Sequence, residues 1–219
     1  MEGALLISPH LDDAVFSCGD WLAGHPGTLV VTVFAGTPSG VTPLTPWDAA
    51  CGFTDARQAV AARRAEDSAA LAVLSARAGW LEFLDSQYLD SPSLSALHTA
   101  LTGVLERTSP ATVLFPAGLF HSDHVLVHAA MLALCRARPQ HAWLMYEDAL
   151  YRRSAGWLQR RLAALFVSGM CATPVAVPAS AAAGPKRAAL ACYRSQLRAL
   201  GPAADLVAPE AYWRLEPAP

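Results

Sequence analysis

Short, continuous apolar runs separated by longer helical patterns constrain this chain more than any other feature. Ala4–Ser8 (ALLIS) and Thr28–Ala35 (TLVVTVFA) place apolar residues on both faces of any strand they form, and the second is rich in β-branched side chains. Thr112–Pro116 (TVLFP) and Ala142–Tyr146 (AWLMY) read the same way, and Trp80–Leu84 is a weaker example. A strand with no polar face must be covered on both sides, which is the condition of a parallel sheet. Helical patterns fall between the runs, near residues 13–23, 56–78, 93–107, 123–138 and 184–200. Right-handed crossovers then predict an α/β fold, a three-layer Rossmann-like sandwich with a mostly parallel sheet.

The totals agree with one domain over residues 1–219, without an internal repeat or an interdomain linker. Hydrophobic residues at 53% against 16% charged exclude a disordered chain. A formal charge of −2 without clustered Lys or Arg excludes a nucleic-acid partner. No apolar run approaches the roughly 20 residues that span a bilayer. Met1-Glu2-Gly3 lacks the basic start of a secretory leader, so a soluble, cytoplasmic protein without a membrane partner is expected. The five cysteines are scattered without a C-x-x-C pair and read as free thiols. An apolar composition permits a homo-oligomer.

Two stretches break the regular pattern. Gly36–Phe53, with three prolines and three glycines, follows the second strand; loops emerging at that edge are commonly lids or binding loops. Thr173–Pro185 is rich in Ala and Pro and leads towards the last helix.

Chemistry concentrates at two junctions. Ser8-Pro9-His10-Leu11-Asp12-Asp13 begins where the first strand ends and a helix starts. His121-Ser122-Asp123-His124 follows the strand at Thr112–Pro116 by a short loop and opens another helix. Ligands of open parallel sheets bind beyond the carboxyl ends of the strands, so two neighbouring junctions can converge on one point. The pooled groups are three imidazoles and three carboxylates. Zinc accepts both donor types, and a catalytic zinc takes three protein ligands, leaving groups over for acid and base work. Each cluster also admits a structural reading, with Asp12, Asp13 or Asp123 as helix N-caps and the histidines as surface residues. His128 lies four residues beyond His124, but the Glu of H-E-x-x-H is absent and a packing role is expected. His25, His98 and His141 stand outside both clusters.

At these residues the chain resembles the N-acetylglucosaminyl-phosphatidylinositol de-N-acetylases, also called PIG-L or LmbE-like deacetylases. The family motif H-x-D-D, often A-H-P-D-D-E, stands here as S-P-H-L-D-D-A, and H-x-D-H as His121-Ser122-Asp123-His124. Tyr146-Glu147-Asp148, Tyr193-Arg194-Ser195-Gln196-Leu197 and Glu210-Ala211-Tyr212-Trp213 resemble segments of a bacterial branch with the P-H-L-D-D form. Leu11 and Ala14 depart from the commoner motif.

The resemblance implies a zinc-dependent hydrolase that removes an N-acyl group, N-acetyl in the simplest case, from an amino sugar or glycoconjugate. It assigns His10, Asp13 and His124 to the metal and makes Asp12 the general base. His121 would stabilise the oxyanion or protonate the leaving amine, and Asp123 would orient His121. Arg63, Arg64 and Asp85 would meet sugar hydroxyls. His and Asp ligands accept several divalent ions, Fe2+ among them, so zinc follows from the family and not from the donors. Lys186, Gln196, Trp47 and Phe53 suit either substrate contact or structure. Three other functions stand against this one. A dinucleotide site lacks its G-x-G-x-x-G after the first strand. A metal-dependent phosphoesterase needs more bridging carboxylates. A non-catalytic sugar-binding relative would have no use for the full set of acid and base groups.

Overall fold

A computed structural model describes residues 3–40, 42–176, 184–201 and 206–218. The elements follow in the order β1 (Ala4–Ser8), α1 (Asp13–Gly24), β2 (Leu29–Thr32), α2 (Pro46–Cys51), α3 (Ala56–Val73), β3 (Arg77–Trp80), a 3-10 turn (Ser86–Tyr88), α4 (Leu94–Thr108), β4 (Thr112–Pro116), α5 (Ser122–Ala137), β5 (Ala142–Tyr146), α6 (Trp157–Val167), β6 (Met170–Val175), α7 (Gly184–Leu190), α8 (Arg194–Leu200) and β7 (Tyr212–Pro217). The strands form one sheet in the order β3-β2-β1-β4-β5-β7-β6. The first five are mutually parallel, and β7 runs antiparallel to both of its neighbours.

Period-two alternation along buried strands divides the core. Leu5, Ile7, Val113, Phe115 and Met145 pack against Leu97 and Leu101 of α4, Val127 and Met131 of α5 and Leu165 of α6. Leu6, Val30, Leu114 and Tyr146 turn to the other face, against Val15 of α1, Leu71 of α3, Ala189 of α7 and Tyr193. The expected α/β sandwich with a mostly parallel sheet is thus the observed one. β1 and β4 are neighbours from which the chain winds in opposite directions, so the crevice of the switch point opens between their carboxyl ends. Among the described residues, no helix is long and apolar enough to cross a membrane.

β1, β4 and β5 have the expected bounds. β2 is shorter than Thr28–Ala35, although Val33 and Phe34 still donate to Ser8 O and Pro9 O. The third strand lies at Arg77–Trp80 and not at Trp80–Leu84. Its helix stops five residues early, because Ser75 turns left-handed (φ +54°) and frees 77–80 to pair with Leu29–Thr32. The helical region 184–200 is two helices broken at Ala191–Tyr193. α6, β6 and β7 were not expected. Of Thr173–Pro185, the first residues belong to β6, and 177–183 lie outside the described residues.

The Gly36–Phe53 segment contains a helix. Thr45 caps α2 by accepting from the Asp48 N–H at 3.0 Å, and Pro46 occupies its first position. The segment is fastened on two sides. Thr45 donates to Gln87 Oε1 (2.6 Å) and the Tyr88 hydroxyl to Asp48 Oδ2 (2.9 Å), while Trp47 Nε1 donates to Gln196 Oε1 of α8 (3.1 Å).

Candidate metal centre

Local backbone economy builds the first junction. Ser8 Oγ donates to His10 O (2.8 Å) and accepts from Ala14 N–H (3.0 Å), folding residues 8–14 into a tight turn. Asp12 precedes α1 but makes no side-chain cap, so the capping role that competes with chemistry is not used. Its buried carboxylate accepts no hydrogen bond among the described residues and lines a cavity of about 520 Å³.

The second junction turns through Gly118 (φ +69°) and Phe120 (φ +63°) before His121. A Cβ on Gly118 would stand 2.5 Å from His128 Cβ and 2.9 Å from His124 O, so glycine is required for α5 to approach β4 this closely. His121 caps α5, its Nδ1 accepting from Asp123 N–H at 3.3 Å. That bond leaves the proton of the neutral ring on Nε2.

The two junctions meet. Asp13 Oδ2 accepts from His10 N–H (2.9 Å) and lies 3.2 Å from His10 Nδ1 and 3.1 Å from His124 Nε2. One donor atom from each of His10, Asp13 and His124 lies within 4.8 Å of the others, and all three residues are buried. His10, His121 and Asp123 form a second group by the same measure, with His121 only half-buried. His10 is common to both, and its Nε2 lies 3.0 Å from Asp123 Oδ2.

Four carboxylates around two imidazoles dominate the electrostatics. Burial opposes the charge of His10, but Asp85, Asp123 and Asp13 outweigh it and hold the ring well above its ordinary value. Burial opposes the charge of His124 likewise, yet Asp13 and Asp148 raise it to about 9. Burial also opposes charge on Asp13, and His124 and His10 override it, keeping that carboxylate far below its usual range. Asp12 goes the other way. Burial and then the charge of Asp13 lift it to about 7, where a carboxylate can exchange protons near neutral pH. His121 is lowered by burial and then by His10 and His124.

The remaining expected residues divide. Arg63 is buried in the cavity wall, with its guanidinium 3.6 Å from Asp85 Oδ2. Asp85 also accepts from Gln87 and lies 4.0 Å from His10 Nε2. Arg64 does not reach the cavity, because its guanidinium is taken by Ala35 O (2.8 Å) and by Glu82 (2.8 Å). Asp123 hydrogen-bonds elsewhere than expected: its carboxylate accepts from Ser86 N–H (3.1 Å) and meets His10, while its own N–H donates to His121 Nδ1. His128 packs, with Nδ1 donating to Pro116 O at 2.9 Å. Lys186 is a buried structural cation paired with Glu210 at 2.6 Å.

Asp148 had no role assigned from the sequence. It sits just beyond β5, accepting from His124 Nδ1 (2.6 Å) and Leu119 N–H (2.8 Å). Its legible signal was position, at the carboxyl end of the strand beside β4. Tyr151, on the turn that Asp148 begins, also lines the cavity and carried no local signal.

The family model for GlcNAc-PI de-N-acetylase (PIG-L) matches residues 5–135, more than half of the chain and both junctions. The chain belongs to the PIG-L family. Its structural neighbours agree. A deacetylase of the teicoplanin biosynthetic pathway superposes with a TM-score of 0.82 at 26% identity, covering 98% of each chain. The A40926 pseudoaglycone deacetylase Dbv21 gives 0.76 at 27%, covering 99% of this chain and 98% of that one. An N,N'-diacetylchitobiose deacetylase from Pyrococcus horikoshii gives 0.63 at 17%, covering 99% and 84%, and shares the fold. No curated protein matches in sequence. The family description is that of a de-N-acetylase, a hydrolase of amide bonds, and the three relatives named are deacetylases.

Proposed function

We propose that this PIG-L domain is a divalent-metal-dependent hydrolase that removes an N-acyl group, N-acetyl in the simplest case, from an amino sugar or glycoconjugate. The observation that carries the reading is Asp13 Oδ2 standing within 3.2 Å of imidazole nitrogens from both junctions, with the unpartnered Asp12 carboxylate beside it. Two imidazoles and a carboxylate oxygen fit a zinc-type ion, since their nitrogens converge on one buried point and Asp148 anchors His124 from behind. His10, Asp13 and His124 would hold the ion, zinc or another divalent such as Fe2+. Bound there, it would supply a Lewis acid for the amide carbonyl and for water.

The chain's own groups do the rest. Asp12 takes a proton from the attacking water as oxygen adds to the carbonyl carbon, and returns it to the nitrogen as the C–N bond breaks. Acetate and a free amine leave. His121 Nε2–H donates to the carbonyl oxygen as it gains charge. Asp123 holds His10 in place, and Asp85, Arg63 and Gln87 offer charged and polar groups to sugar hydroxyls.

The test is to load the protein with one equivalent of zinc and offer N-acetylglucosamine, its aryl glycosides, an N-acetylated pseudoaglycone and a phosphate ester. Acetate and free amine released in equal amounts support the reading. Phosphate release without amine, or binding without release of either, overturns it.

A further inference from the structure

The hydroxyl of Tyr151 makes no hydrogen bond among the described residues, although the side chain lines the cavity. Its ring is held from three sides. Tyr151 lies edge-on to His124, centroids 5.4 Å apart, and beside His121 at 6.4 Å with the planes only 24° from parallel. Phe120 backs it at 5.3 Å and is itself packed on Trp157. The backbone is fixed as well: Tyr151 N–H donates to Asp148 O at 3.0 Å, and Asp148 is the residue that anchors His124.

His121 can donate only one proton towards the cavity, because its Nδ1 accepts from Asp123 N–H. Two donors sharing one acceptor at about 2.9 Å each stand no more than about 6 Å apart. The rings of His121 and Tyr151 stand side by side in the cavity wall, centroids 6.4 Å apart and planes 24° from parallel. We infer that Tyr151 is a catalytic residue, donating its hydroxyl to the substrate carbonyl oxygen as negative charge develops there, opposite the His121 donor. No proton leaves the phenol; the hydrogen bond shortens as the oxygen gains charge and relaxes when acetate departs. This inference rests on the amide-hydrolase reading above.

Tyr151→Phe keeps the ring and its three aromatic contacts, so the fold should survive. Steady-state kinetics on an N-acetylglucosaminide should show kcat reduced at least tenfold with KM within about threefold, since a donor used only in the transition state affects kcat. A second measurement does not depend on turnover. The metal-loaded variant should bind a tetrahedral methylphosphonamidate of glucosamine at least tenfold more weakly than the wild type by calorimetry, while affinity for the product glucosamine stays within twofold. A variant with wild-type kcat and wild-type affinity for the phosphonamidate overturns the role of Tyr151 alone. Equal weakening of phosphonamidate and glucosamine also overturns it, in favour of ground-state binding. A wild type that neither releases amine nor binds the phosphonamidate overturns both readings.

Discussion

His124 donates from Nδ1 to Asp148 Oδ1 across 2.6 Å, directing its other nitrogen at Asp13. Carboxylates behind metal-bound imidazoles fix the tautomer and the ring, and their loss typically costs 10–100-fold in metal affinity. Asp148→Ala should therefore weaken zinc binding by about that factor. Asp148→Asn, which retains an acceptor, should fall between the two. Competition with a chromophoric chelator measures both; unchanged affinity in Asp148→Ala would show that the imidazole needs no anchor.

Asp12 and Asp13 are adjacent, but the surroundings separate them. Asp13 is bound by two imidazoles, whereas Asp12 is lifted to about 7 by burial and by its neighbour's charge. Asp12→Asn should lower kcat by roughly 10²–10⁴-fold, the range of general acid–base catalysis. Metal content should match the wild type. Elemental analysis of the purified variant decides the assignment, because loss of the ion would exchange the roles of the two aspartates.

Arg63 and Arg64 are consecutive on α3 but face different partners. Arg64→Ala should leave KM within twofold, since Ala35 O and Glu82 occupy its guanidinium. Arg63→Lys should raise KM by about tenfold, the scale of one hydrogen bond to a charged group. Lys is preferred to Ala there because Asp85 would otherwise lose its cationic partner on α3. Michaelis curves for the two variants side by side are sufficient, and a larger effect at Arg64 would reverse the assignment.

His128 predicts a pH dependence of stability. Burial, and then the nearby Arg161, lowers its imidazole to about 3 from 6.5. Between those values the unfolded chain binds a proton that the folded protein refuses. Stability is therefore full above 6.5, falls as pH drops through 6.5, and stops falling on this account below about 3. His128→Asn keeps a donor for Pro116 O but cannot titrate. Urea unfolding at pH 7.5 and pH 5.0 should show the wild type losing about 2 kcal/mol more than the variant. Parallel losses would place the acid sensitivity elsewhere.

Legibility from sequence followed burial. β1, β4 and β5 are parallel strands whose apolar runs have no exposed face, so their bounds coincide with their composition. β6 and β7 alternate unevenly and carry Pro174 and Pro217; each buries only part of its length, and a run of apolar residues is not their signature. α2 was hidden by proline and glycine counts, although Thr45 followed by Pro46 is a helix start in its own right. In the site, the residues contiguous with a motif were readable, His10 to Asp13 and His121 to His124. Asp148 and Tyr151 belong to the site through β5's position next to β4, which no local pattern encodes. Arg64 was misplaced because helical periodicity does not say which of two adjacent arginines turns inward.

β7 lies between β5 and β6 and pairs antiparallel with both, and β6 has no other strand neighbour among the described residues. A ribosome delivers Met170–Val175 about forty residues before Tyr212–Pro217. During synthesis the nascent β6 must wait without a sheet partner until translation reaches the last strand, and a stalled polypeptide exposes an unpaired edge next to Tyr146 throughout that interval.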